Sequence, residues 1–126
     1  MSEEKKVIDM PESSENELDR AIAEAEADAV STYVHHFKKS FLWMGQEYET
    51  MAFNFEDLTG RDMQAIEREM SMMGQAVVSP ALSGEFLLRM AARAAGIGVD
   101  AILAMPIHEA ATIRTKARSF LLRSEL

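Results

Sequence analysis

Between residues 51 and 74 the hydrophobic period of the chain changes, MAFNFEDLTGRDMQAIEREMSMMG. Met51, Phe53 and Phe55 alternate, which places them on one face of an extended segment. Met63, Ile66, Met70 and Met73 then recur at spacings of three and four, the period of a helix. The switch falls at Leu58-Thr59-Gly60-Arg61-Asp62. A hydroxyl at Thr59 can accept from a free amide of the first turn, and Asp62 supplies a shorter-armed version of the capping-box acid. Sequence before this junction therefore reads as extended or unstructured, and sequence after it as helical.

Charge divides the chain a second way. Residues 1–30 hold ten carboxylates and three basic side chains, a net of −7, whereas all 126 residues sum to −8. The remainder is close to neutral. A phosphate-binding surface needs clustered Lys and Arg, so this balance argues against nucleic acid as a partner. Cysteine is absent, which excludes disulfides and thiolate metal sites. No basic start followed by an apolar run marks a secretory signal, and no stretch approaches the 18 or so apolar residues of a membrane span. A cytoplasmic protein is the expectation.

Residues 1–16 are polar and acidic and are expected to be disordered. Residues 17–30, ELDRAIAEAEADAV, are rich in Ala and Glu and favour a helix, with a thin stripe of Leu18, Ile22, Ala25 and Ala29. Two readings stand for this stretch, a solvated acidic tail or a nascent helix that orders on a partner. From Tyr33 the texture changes to YVHHFKKSFLWM, with Phe37, Phe41 and Trp43 near one parity. Met44-Gly45-Gln46-Glu47 is a turn signal, and alternation resumes from Tyr48 to Phe55, so the two runs read as an antiparallel β-hairpin. A hairpin alone is marginal in water and has to pack on helices or pair with another chain.

A helix is expected over residues 60–73 and a second over 84–95, with Ser83 as N-cap and Gly96 closing it. Phe86, Leu87, Met90, Ala91 and Ala94 form the apolar stripe of the second. A short helical turn over 100–104, capped by Asp100, leads to Pro106 in the first turn of a last helix over 107–122. The apolar set expected on that helix is Ile107, Ala110, Ala111, Ile113, Ala117, Phe120 and Leu121. The fold class is α+β: an acidic tail over 1–30, then one domain over 33–126 made of a hairpin, three helices and a helical turn. So small a core makes homo-oligomer contacts unsurprising.

The residues nominate no catalytic, cofactor or metal site. His35 and His36 are adjacent on a strand and point to opposite faces, so they do not readily chelate one metal, and His108 with Glu109 lies on another element. Solvated or half-buried histidines are the simpler expectation. Glu67 and Glu69 do not share a helix face, and Glu56-Asp57 sits where it favours the positive end of the next helix. Gly96-Ile97-Gly98 follows a helix instead of a strand and lacks the third glycine of a nucleotide-binding turn. Arg89 and Arg93 are four apart, as are Arg114 and Arg118. Each pair is either an ordinary solvated face or part of a basic strip for an acidic segment, the chain's own tail among the candidates.

The order of signals, FLWMGQEYETMAFNF, then LTGRD, then SPALSGEFLLRMAARAAGI, then VDAILAMPIHEAATIRTKARSFLL, resembles the small tail assembly chaperones of long-tailed bacteriophages and related prophages. The resemblance covers about residues 37–122. It is carried by Leu58-Thr59-Gly60-Arg61-Asp62, Ala91-Ala92-Arg93-Ala94-Ala95-Gly96 and Phe120-Leu121-Leu122. It implies a non-enzymatic protein of the host cytoplasm that binds the tape measure protein, keeps it soluble and helps recruit tail tube subunits, without entering the virion. Ten methionines suit an adaptable apolar surface, and equally a Met-rich core.

On that reading the partner-binding residues are Phe41, Trp43, Tyr48 and Phe53 of the hairpin and Met63, Met70 and Met73 of the first helix. Arg89 and Arg93 add the basic strip. The same apolar residues would serve equally as core, so their exposure decides between the two. Alternatives are a structural tail or connector subunit and a small regulatory protein-interaction module. A DNA-binding helix-turn-helix is disfavoured by the long, proline-marked connector and by the charge.

Overall fold

The computed structural model describes residues 32–124. The expectations for residues 1–30 fall outside these. Among the described residues the architecture is α+β, one antiparallel two-stranded sheet followed by helices. Strand β1 (Tyr33–Trp43) and strand β2 (Gln46–Phe53) pair, with Tyr33 opposite Phe53 and Trp43 opposite Gln46. The turn is tighter than the sequence suggests, because only Met44 and Gly45 lie between the strands. Both have positive φ, +50° and +82°, the handedness that matches the twist of a two-residue hairpin.

The register shifts once. His36 faces Thr50 and Phe41 faces Tyr48, so residues 37–40 of β1 stand against Glu49 alone. This bulge reconciles two parities. Met51 and Phe53 are buried and Tyr48 packs on the same core, although Tyr48 is of opposite parity to them. On β1 the core-facing positions keep one parity and build a row of rings. Phe37 stacks on Phe41 at 5.5 Å and Phe41 on Trp43 at 6.2 Å.

Helix α1 (Gly60–Met72) starts at Thr59, whose amide and hydroxyl donate to the Asp62 carboxylate at 2.8 and 3.2 Å. Helix α2 (Gly84–Ala95) is the central element, with Phe86, Leu87, Met90, Ala91, Ala92 and Ala94 buried against the other helices and β2. Its ends follow from local chemistry. The Ser83 hydroxyl accepts the Phe86 amide at 3.1 Å. Gly96, at φ +72°, lets its own amide reach Arg93 O and the Ile97 amide reach Ala92 O, which closes the helix. The Asn54 amide donates to Ala94 O at 3.0 Å, pinning the end of β2 to the end of α2.

Helix α3 (Val99–Leu103) is capped by Gly98, not Asp100, which sits inside the first turn. Helix α4 (Ile107–Ser124) runs two residues past expectation, and Pro106 precedes it and accepts the Glu109 and Ala110 amides. Its buried line is Glu109, Ile113, Ala117 and Leu121, a strict four-residue repeat. Ile107, expected on the apolar stripe, is exposed at the end of the helix, and Glu109 takes the buried place instead.

Candidate functional site

Three of the hairpin and helix residues nominated as contacts belong to the core. Phe53 and Met70 are fully enclosed, because β2 and α1 turn them onto α2, and Phe41 is buried in the ring stack of β1. They are unavailable to a partner in this conformation. Trp43 and Tyr48 are half-buried at the far end of the hairpin. Met63 and Met73 remain open, at 41% and 60% exposure, so the methionines of α1 split between core and surface.

Met63 stands at the edge of an apolar groove of about 280 Å³ between the start of α1, the middle of α2 and the last turns of α4. Leu58, Ile66, Phe86, Met90 and Phe120 line it, with Thr59, Asp62 and Ser124 among its polar surroundings. The helices position this groove directly. Ile66 from α1 and Met90 from α2 both line it, and Phe120 from α4 lines it while stacking on Phe55 at 5.5 Å. The polar groups at this end are already engaged. The Thr59 amide and the Arg93 guanidinium hold the Asp62 carboxyl below the usual carboxylate range.

Arg89 and Arg93 form a clasp between α1 and α2, which is neither the ordinary solvated face nor the open basic strip that their spacing allowed. Arg89 Nε lies 2.7 Å from Glu85 Oε2, its NH1 lies 3.1 Å from Glu69 Oε1, and the side chain is only 11% exposed. Arg93 Nε reaches Asp62 Oδ1 at 2.9 Å and its NH1 reaches Glu69 Oε2 at 3.6 Å. Burial works against the Arg89 charge, but Glu85 and Glu69 outweigh it and hold its pKa above the ordinary value. On α4, Arg118 Nε donates to Ala81 O at 3.0 Å and ties the short Pro80–Leu82 turn to that helix.

A buried polar chain lies where solvated or half-buried histidines were expected. His35 and Glu109 are both closed to solvent. His35 Nε2 is 2.7 Å from Glu109 Oε1, the Lys38 amide donates to Glu109 Oε2 at 2.9 Å, and the Tyr33 hydroxyl is 2.8 Å from His35 Nδ1. Burial pushes the Glu109 carboxyl up, while the Lys38 amide and His35 pull it down further, leaving it below the ordinary value. An ionised Glu109 accepts only, so Nε2 of His35 carries the proton of that bond. His36 points to the opposite face, as the strand requires, and the exposed His108 comes within 3.4 Å of Glu109. Two signals pointed to this pair: the Tyr33, His35, Phe37 alternation, and Glu109 heading the four-residue repeat of α4.

Among the described residues no group of three His, Cys, Asp or Glu is placed to hold a metal ion. None of the described helices is long and apolar enough to cross a membrane. In comparisons with known proteins, no family model, curated protein or solved structure matches the chain.

Proposed function

We propose that the chain is a non-catalytic binding protein that seats an apolar-striped helix of an assembly partner in the groove edged by Met63. The observation that carries this reading is the groove itself. Its floor of Ile66, Phe86 and Met90 is apolar, and its edge is a flexible thioether side chain that can repack around different contours. Joined to the resemblance stated above, the partner is the tape measure protein, long, helical and exposing apolar stripes before assembly. The activity is then that of a tail assembly chaperone in the host cytoplasm, with tail tube subunits recruited once the tape measure protein is held. The sheet has two strands only among the described residues, which offers edges for pairing with a second chain.

Co-expression with a candidate tape measure protein tests the proposal. That protein is expected in the soluble fraction with the wild-type chain and with Met63→Leu, and in the pellet with Met63→Glu. Equal solubility with and without the chain contradicts it.

A further inference from the structure

We propose that Met73 is a modification site, oxidised to the sulfoxide by a hydroperoxide, and that the new oxygen tightens the clasp between α1 and α2. Arg89 Nη2 lies 3.0 Å from Met73 Sδ. The other two nitrogens of that guanidinium meet carboxylates, Nε at Glu85 and Nη1 at Glu69. The third nitrogen shares the same positive charge but meets a thioether, which is a weak acceptor. A strong donor is thus held against a weak acceptor, at a place where an oxygen would gain a charge-assisted bond. Both ends of the contact are fixed. Met73 is the C-cap of α1, and the Gly74 amide, at φ +78°, bonds Ser71 O while the Gln75 amide bonds Met70 O, which closes the helix behind it. Arg89 is set in the middle of α2 and gripped by its two acids.

Access and geometry together single out this methionine. Met51, Met70, Met90 and Met105 are buried in the core. Met44, Met63, Met72 and Met73 are the exposed methionines among the described residues, and Met73 is the one of them whose sulfur accepts from a guanidinium. Arg89 engages one lone pair of that sulfur and leaves the other for chemistry. The sulfur attacks the terminal oxygen of the hydroperoxide, the S–O bond forms as the O–O bond breaks, and the proton of that oxygen passes to the departing one. Sulfur is oxidised and the peroxide is reduced to water or an alcohol. A sulfoxide ordinarily loosens a structure, because a polar group replaces an apolar one inside it. Here the oxygen forms on a side chain that already stands in solvent, beside an N–H with a poor partner. Rotation about the terminal bonds of an unbranched side chain brings it onto Nη2. The product is open to methionine sulfoxide reductases, so the clasp has a loose reduced form and a tight oxidised one. The inference stands apart from the groove reading, since neither the reaction nor its effect on the clasp requires a partner.

Hydrogen peroxide treatment of the full chain tests it, with peptide mass spectrometry to locate the added oxygen. Met73 is expected to be converted along with the other exposed methionines while the buried ones are spared. The effect on the clasp is read in a chain carrying Met44→Leu, Met63→Leu and Met72→Leu, which leaves Met73 as the exposed methionine of the described residues. Its urea midpoint is expected to rise on oxidation and to return on treatment with methionine sulfoxide reductases of both stereospecificities. The same chain with Met73→Leu added is expected to show no rise. In protein labelled with ¹⁵N-arginine, the Arg89 guanidinium resonances are expected to shift on oxidation and their protons to exchange with water more slowly. Met73 left as a thioether after Met44 and Met72 of the wild-type chain are converted overturns the proposal. So does an unchanged or lower midpoint once Met73 is fully oxidised, an equal rise with Met73→Leu, or unmoved Arg89 resonances.

Discussion

Nε2 of His35 lies 2.7 Å from Oε1 of Glu109, 74 residues away in sequence, and both side chains are closed to solvent. The pair joins the hairpin to the last helix through a charge-assisted hydrogen bond, with the Lys38 amide as a second donor to the same carboxylate. Glu109→Ala leaves the buried His35 imidazole and the part-buried Lys38 amide without their acceptor, each orphaned donor expected to cost about 1–3 kcal/mol. Replacing both partners, His35→Phe with Glu109→Leu, is expected to cost less than the sum of the single changes, because no orphaned polar group remains. Urea unfolding of the two single variants and the double variant checks this.

The same carboxylate gives a pH dependence of definite sign. Its folded pKa lies below the ordinary 4.5, so the unfolded chain takes up its proton first on acidification. The stabilisation is complete above about pH 4.5 and is lost as pH falls through the folded value. Asp62, lowered from 3.8 by the Thr59 amide and Arg93, acts in the same direction. Urea midpoints measured downward from neutral pH are expected to fall below that point, and to fall less steeply in Glu109→Gln.

The arginine clasp predicts an asymmetry between two residues on one face of α2. Arg89 is nearly enclosed, so Arg89→Ala removes its packing between α1 and α2 and its two charge-assisted bonds, and is expected to cost about 1–3 kcal/mol. Arg93 is 38% exposed and its pairs are screened by water, so Arg93→Ala is expected to cost no more than about 1 kcal/mol. Denaturant midpoints compare the two directly. Equal losses would mean that burial does not distinguish them.

At the hairpin turn Met44 holds φ +50° with its side chain almost wholly in solvent. The left-handed region costs a side chain with a Cβ about 1–2 kcal/mol, and Asn and Gly avoid most of that. Met44→Asn is therefore expected to raise the thermal midpoint, while Gly45→Ala, at φ +82°, is expected to lower it. Thermal unfolding followed by circular dichroism reads both.

Much of the fold was legible because its signals are local. Ser83, the Phe86-to-Ala94 stripe and Gly96 lie within one short window, and α2 begins and ends where they place it. The Leu58–Asp62 junction behaves likewise. What was not legible depends on partners distant in sequence. Arg89 and Arg93 look like an open strip until α1 brings Glu69 and Asp62 opposite them. Glu109 looks like a surface acid until β1 delivers His35 and the Lys38 amide. Tyr48 packs on the core although Met51 and Phe53 are of the other parity, and the register shift at residues 37–40 that accompanies this has no local sequence signal. Of the nominated contacts, Met63 is the one that lines the groove while remaining exposed, and periodicity alone could not separate it from Met70.

Methyl labelling of the ten methionines reads the groove most directly. Met63 and Met90 line it, whereas Met44 and Met72 stand exposed at the hairpin turn and the far end of α1. On titration with a helical segment of a tape measure protein, the Met63 and Met90 methyl resonances are expected to shift together and saturate, with Met44 and Met72 unmoved. Shifts confined to Met44 or Met72, or no shift at saturating peptide, would contradict a partner site in this groove.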